Sequence, residues 1–145
     1  MNKSHALPVS EQTLLASTKI EGDARINALP KHFPQSFLVV ENVVYSFAKK
    51  LCSAYSGARW EFYEISNGGF FMTPALSAKL DVEVPFGNGY EGKMSADAFG
   101  VTVCLFAYSY MSEMHPISDF AEYYWRLRDF AGNHAEAAAI FSAID

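Results

Sequence analysis

From Gln35 onward the apolar residues Phe37, Val40, Val44, Phe47, Leu51 and Tyr55 recur at three- and four-residue steps. That is the spacing of one buried helical face, and Gly57 supplies a stop. The period then changes. Residues 79–86 alternate, with Leu80, Val82, Val84 and Phe86 on one side and Asp81 and Glu83 on the other, as a half-buried strand requires. Ahead of them two aromatic-rich runs, 59–66 and 70–73, flank Asn67-Gly68-Gly69, residues that tolerate the positive φ of a tight hairpin turn. Short connections make consecutive strands antiparallel neighbours. Residues 59–86 are therefore expected to form a three-strand antiparallel meander, with Pro85 ending the third strand or lying at an edge.

Helical signals resume at Ser95, a good N-cap, with Asp97 well placed for the helix dipole. Residues 98–112 carry no charge, which raises the possibility of a membrane span. Fifteen helical residues cover ~22 Å, short of the ~30 Å hydrocarbon core, so a helix buried against the sheet is expected instead. His115-Pro116 ends it. Ser118 opens another helix, with Phe120, Tyr123, Tyr124, Leu127 and Phe130 as its apolar stripe. Asn133 with Glu136 forms a capping-box-like pair opening a last helix that buries Ala137, Ile140, Phe141 and Ile144. Toward the start, residues 1–23 are polar and weakly patterned. Ser10 is placed to cap a short helix over 11–16, and the rest of this segment is expected to be mobile. A brief helix over 24–29 should end at Pro30, with Pro34 a second break. Without an internal repeat or linker, the chain reads as a single α+β domain over 1–145, a small antiparallel sheet packed with several helices.

Composition supports a packed core, since 50% of the 145 residues are hydrophobic and 15% aromatic. Cys52 and Cys104 are too few for a disulfide framework and read as buried thiols in a reducing cytoplasm. The opening Met-Asn-Lys-Ser-His-Ala-Leu-Pro has no apolar core of a signal peptide. Net charge is −5 but uneven: six acids and eight bases over residues 1–80, ten acids and three bases over 81–145. An acidic C-terminal half with scattered bases argues against tight duplex DNA binding. It is also too weak for a duplex mimic, because DNA carries about one charge per ~1.7 Å of axis.

Candidate chemistry is thin. Gly87-Asn88-Gly89-Tyr90-Glu91-Gly92 matches G-x-G-x-x-G, but Ser95 lies beyond the last glycine, Glu91 would face a pyrophosphate, and no second parallel strand follows. A flexible loop is the expectation. His5, His32, His115 and His134 show no metal-ligand spacing, and both cysteines sit at apolar helical positions, poor places for a nucleophile. Glu61 and Glu64 fall on opposite strand faces. Residues 123–128 interleave aromatic and basic side chains as single-strand binders do, yet Tyr123, Tyr124 and Leu127 belong to the buried stripe, leaving Trp125 and the arginines exposed. The residues alone thus assign no catalytic residue, cofactor or metal. They leave open a small-molecule-binding domain or enzyme built on an aromatic pocket.

The run Trp60-Glu-Phe62-Tyr-Glu-Ile-Ser-Asn67-Gly68-Gly69-Phe70-Phe-Met-Thr-Pro74 closely resembles the signature of the ArdB/KlcA antirestriction family, small plasmid-borne proteins that protect incoming DNA from type I restriction enzymes. Met94-Ser95-Ala96-Asp97-Ala98 and the tail from Arg126 to Ile140 resemble it as well, in matching order. The resemblance implies interference with a type I restriction–modification complex, and the lack of a catalytic set points to protein contact. Trp60, Phe62, Asn67, Gly68, Gly69 and Phe70 are expected to be mainly architectural. Asp145, Glu136, Asp129 and Trp125, in the acidic C-terminal half, are the candidate contact residues. Asp145 follows the last helix, at the negative end of its dipole, where an acid is a mild misfit. A monomer is the expected state.

Overall fold

The computed structural model describes residues 14–145. It contains five strands and five α-helices: β1 (Ser17–Ile20), α1 (Ala28–His32), α2 (Phe37–Leu51), β2 (Trp60–Ile65), β3 (Phe70–Pro74), β4 (Leu80–Glu83), β5 (Glu91–Met94), α3 (Ala96–Met114), α4 (Phe120–Ala131) and α5 (Ala137–Ile144). A 3₁₀ turn over Gly22–Arg25 leads into α1. The α+β class stands, but the meander does not. The signature hairpin β2–β3 takes β1 as its third strand, in the order β1-β2-β3, while β4 pairs with β5 in a separate two-stranded sheet.

The physical reasons are local. β1 is Ser-Thr-Lys-Ile, exposed for three of its four residues, so it has no apolar alternation and gains its structure by pairing with β2, Thr18 opposite Glu64 and Ile20 opposite Phe62. The expected helix over 11–16 falls largely outside the described residues, and its last part, residues 14–16, is irregular. The alternation of residues 79–86 is real as far as Val84: Leu80, Val82 and Val84 are buried, but Phe86 turns outward and is 51% exposed. The expected 87–92 loop is instead the turn of a second hairpin, and it contributes Glu91 and Gly92 to β5. Pro30 does not end α1; it lies within the first turn, where no intrahelical N–H bond is lost. α2 stops at Leu51 with Cys52 as its C-cap, so Tyr55 and Gly57 lie beyond it and the Tyr55 hydroxyl accepts from Trp60 Nε1 at 2.8 Å.

α3 organises the core. Ser95 caps it as expected, its hydroxyl accepting from the Ala98 N–H at 3.2 Å. The helix is buried along most of its length, and Gly100, Cys104 and Tyr108, at four-residue steps, lie against β3. The Tyr108 hydroxyl donates to the Phe70 carbonyl at 2.5 Å, and the Cys104 thiol donates to the Met72 carbonyl at 3.6 Å. A Cβ at Gly100 would sit 2.5 Å from the Met72 carbonyl oxygen, so only glycine admits this approach. α3 thereby covers a strand edge that would otherwise be open for pairing. Burial pushes the Cys104 thiol up to about 12, which makes it an inert core residue. No helix among the described residues is long and apolar enough to cross a membrane.

Candidate functional site

The signature hairpin docks its tip onto α4. Gly68 takes φ 90°, a left-handed value that glycine adopts without strain. Asn67 Oδ1 accepts from the Gly69 N–H at 2.9 Å, and its Nδ2 donates to the Arg126 carbonyl at 3.0 Å. A Cβ on Gly69 would come within 3.2 Å of Arg126 Cβ. Behind the tip, Trp60 is 4% exposed and Phe70 fully buried, with Phe62 stacked on Phe70 at 6.0 Å between ring centres. The structure thus places the expected signature residues in the turn of the hairpin and in the core beneath it. Sequence reasoning missed Arg126: one arginine on a charged helix face carries no sign that its backbone receives a turn 59 residues away.

Two polar networks, also unforeseen, join distant elements. In the first, His32 Nε2 lies 2.6 Å from Glu64 Oε2 and Nδ1 lies 2.8 Å from the Tyr123 hydroxyl, tying α1, β2 and α4. Hydrogen bonds from Lys31 and then His32 hold the Glu64 carboxyl below the usual carboxylate range. The ionised Glu64 accepts from the Nε2–H, so in the neutral ring Nδ1 accepts from the Tyr123 hydroxyl. Burial raises the Tyr123 phenol, the reverse of what a nucleophile needs.

The second network contains Glu136. Its carboxylate accepts from both the Ser95 hydroxyl and the Ser95 N–H, the latter at 3.0 Å. Burial raises the Glu136 carboxyl, but the Ser95 bonds and the nearby His134 outweigh it and leave the group lowered. The Glu136 N–H donates to His134 Nδ1 at 2.9 Å, which places the imidazole proton on Nε2, 2.6 Å from Asp97 Oδ2. The hydrogen bond to Asp97 raises the His134 pKa, even though a second proton on Nδ1 would displace the Glu136 N–H. The expected capping box between Asn133 and Glu136 is thus replaced. Glu136 is the N-cap residue of α5 without a side-chain cap bond, because its carboxylate reaches back to the start of α3.

The remaining contact candidates share one surface. Trp125 is 57% exposed and Asp129, one helical turn on, is exposed too. Arg128, on the same face of α4, reaches across to the chain end, its two terminal nitrogens each 3.1 Å from an Asp145 carboxylate oxygen. The guanidinium lies 5.0 Å from the Phe141 ring centre and 5.8 Å from that of Trp125, and also donates to the Tyr124 hydroxyl at 3.1 Å. The misfit expected at the end of α5 is relieved by this fork, which satisfies both carboxylate oxygens at once.

No group of three or more His, Cys, Asp and Glu side chains among the described residues is placed to hold a metal ion. An open aromatic groove of about 530 Å³, lined by Phe47, Phe86, Phe106 and Tyr110, has Lys50 and Glu113 as its charged neighbours among the described residues. The arrangement is that of a small α+β protein whose interior polar groups brace the fold and whose open surfaces are aromatic and charged. Residues 53–145 match the family described as antirestriction protein, and the chain belongs to that family. It is 40% identical over 140 residues to the antirestriction protein KlcA of Escherichia coli, covering 93% of this chain and 97% of that one. It is 36% identical over 135 residues to the uncharacterized protein YfjX of Escherichia coli (strain K12), covering 90% and 88%. It also superposes on a KlcA/ArdB solved structure with a TM-score of 0.83 at 38% identity, covering 93% of this chain and 98% of that one. The KlcA and ArdB proteins are described as having a novel fold and antirestriction activity against Type I DNA restriction systems in vivo but not in vitro.

Proposed function

We propose that this protein relieves type I restriction of incoming unmodified DNA, and that it does so through contact between proteins rather than through a reaction at its own side chains. The observation that carries the reading is the match over 93% of the chain to KlcA and ArdB, which act against type I systems in vivo but not in vitro. An effect lost outside the cell favours contact with the restriction–modification complex that depends on a further cellular component. Contact over chemistry is supported by the two networks, in which Glu64, His32 and Tyr123, and Glu136, Ser95 and His134, bond to one another. In this reading Trp125, Asp129 and Asp145 form the contact surface, and Glu136 positions α5 from within. Tight duplex DNA binding is not expected. Lys19, Lys31, Arg59, Lys93, Arg126 and Arg128 are all within ion-pair distance of the chain's own carboxylates, which weakens what these six bases offer to DNA phosphates.

The test is the plating efficiency of unmodified phage on a type I-restricting host, with and without the protein at confirmed soluble expression. Plating should rise toward the level on a non-restricting host. Undiminished restriction would sink the reading.

A further inference from the structure

The face between α2 and α3 carries an apolar surface that no other described element covers. Phe47 is its hub, with ring-centre distances of 5.8 Å to Phe106, 6.0 Å to Tyr110 and 6.2 Å to Phe86. Phe86 is 51% exposed, Val39 48% and Tyr110 46%. Two adjoining hollows, of about 530 and 270 Å³, share Phe47, Lys50 and Tyr110 and so make one trough along both helices. Single exposed apolar residues are ordinary, whereas a contiguous patch with a polar rim marks an interaction surface.

The rim selects the occupant. Lys50, at the end of α2, holds its ammonium 5.1 Å from the Phe47 ring centre, and Glu113 flanks the trough from α3. Both are exposed, and among the described residues neither has an ion-pair partner. A basic partner would satisfy Glu113 but press against Lys50, and an acidic one would do the opposite. A second copy related by a two-fold axis presents Glu113 to Lys50 and Lys50 to Glu113, while the aromatic rings bury against their own equivalents. The chain as a whole carries −5, which disfavours self-association through its acidic surfaces, but here acid and base balance. We infer that the α2–α3 trough is the interface of a symmetric homodimer. This departs from the expectation of a monomer and does not depend on the antirestriction reading.

Sedimentation velocity of the full chain over a wide concentration range tests it. The wild type should shift from a species of 16.1 kDa to one of twice that mass. Lys50→Glu and Glu113→Lys should each weaken the dimer about tenfold, ~1.4 kcal/mol, because each sets like charges face to face. The double reversal should return dimerisation close to wild type, an outcome that only self-pairing of these two positions produces. Tyr110→Ser should weaken the dimer without affecting that charge cycle, and unchanged melting of each variant guards against misfolding. A wild type that stays monomeric, single reversals without effect, or a double reversal as weak as the singles would each overturn the inference.

Discussion

The two hairpins of this protein use the same device in different surroundings. In each, an asparagine precedes a glycine of positive φ, 90° at Gly68 and 78° at Gly89. In each, the asparagine Oδ1 accepts from the N–H two residues on, at 2.9 Å. In each, Nδ2 fastens the tip to a helix carbonyl, Asn67 to Arg126 on α4 at 3.0 Å and Asn88 to Ser142 on α5 at 2.8 Å. What differs is the embedding. β3 is buried at every residue, whereas β4 alternates buried and exposed. The space around Gly68 is taken by the Arg126 guanidinium, while nothing lies within 4 Å of where a Cβ on Gly89 would be. A local motif sets the turn; the packing around it decides how much of the fold depends on it.

The largest effect should come from the aromatic anchor of the buried hairpin. Trp60→Ala removes a 4% exposed side chain and leaves the Tyr55 hydroxyl without its donor. It should destabilise the protein by about 3–5 kcal/mol, a large part of the ~5–15 kcal/mol typical of a domain. Phe86→Ala, at the half-exposed end of the second hairpin, should cost no more than about 1 kcal/mol. Urea denaturation of both variants checks the contrast. A Trp60→Ala protein with near-native stability and lost antirestriction would instead make Trp60 a contact residue.

Next come the asparagines themselves. Asn67→Ala strands the Gly69 N–H and the Arg126 carbonyl in a partly buried junction, at roughly 1–3 kcal/mol. Asn88→Ala exposes its partners to water, which replaces the bonds, and should cost less than about 1 kcal/mol. Equal losses in thermal melting would erase the distinction between the two hairpins.

This contrast also explains how far the sequence could be read. Asn67-Gly68 between aromatic runs was legible as a hairpin, and so were α2, α3 and α4 from their periodicity and from the Ser95 cap. Asn88-Gly89 carried the same turn signal after the alternation of 80–84, but the G-x-G-x-x-G reading obscured it. β1 was not legible, because Ser17, Thr18 and Lys19 are exposed and the strand exists only through β2. Of the candidate surface, the residue types Trp125, Asp129 and Asp145 were visible. The Arg128–Asp145 fork was not, since nothing in the period of α4 tells where α5 ends.

A smaller effect is expected from pH. The buried hairpin carries Glu64, whose pKa lies below its ordinary 4.5 because of Lys31 and then His32. A lowered carboxyl contributes stability that is present above its unfolded value and lost as pH falls through the folded one. Glu64 is partly exposed, so the contribution should be about 1 kcal/mol or less. Melting temperatures from neutral pH down to about pH 3 should fall more steeply for the wild type than for Glu64→Gln. Identical slopes would remove Glu64 as a source of that dependence.

The smallest effect on stability, and the most informative about function, belongs to Asp145. It is the C-cap of the helix that the second, exposed hairpin fastens, and its side chain is 57% exposed while that of Arg128 is 26% exposed. A pair so open to water contributes about 0–1 kcal/mol, so Asp145→Asn should melt almost as the wild type does. If the carboxylate meets a basic surface on the restriction complex, the same substitution should weaken protection of unmodified phage, since charge pairs across an interface govern association and specificity. Arg128→Gln separates the two roles open to this acid. It frees Asp145 from its internal partner, so protection should persist if Asp145 itself makes the contact. It should instead fall along with Asp145→Asn if the acid serves only to hold Arg128 against Trp125 and Phe141. Full protection by Asp145→Asn and Asp145→Ala, at equal protein levels, would leave the carboxylate as no more than the closing group of α5.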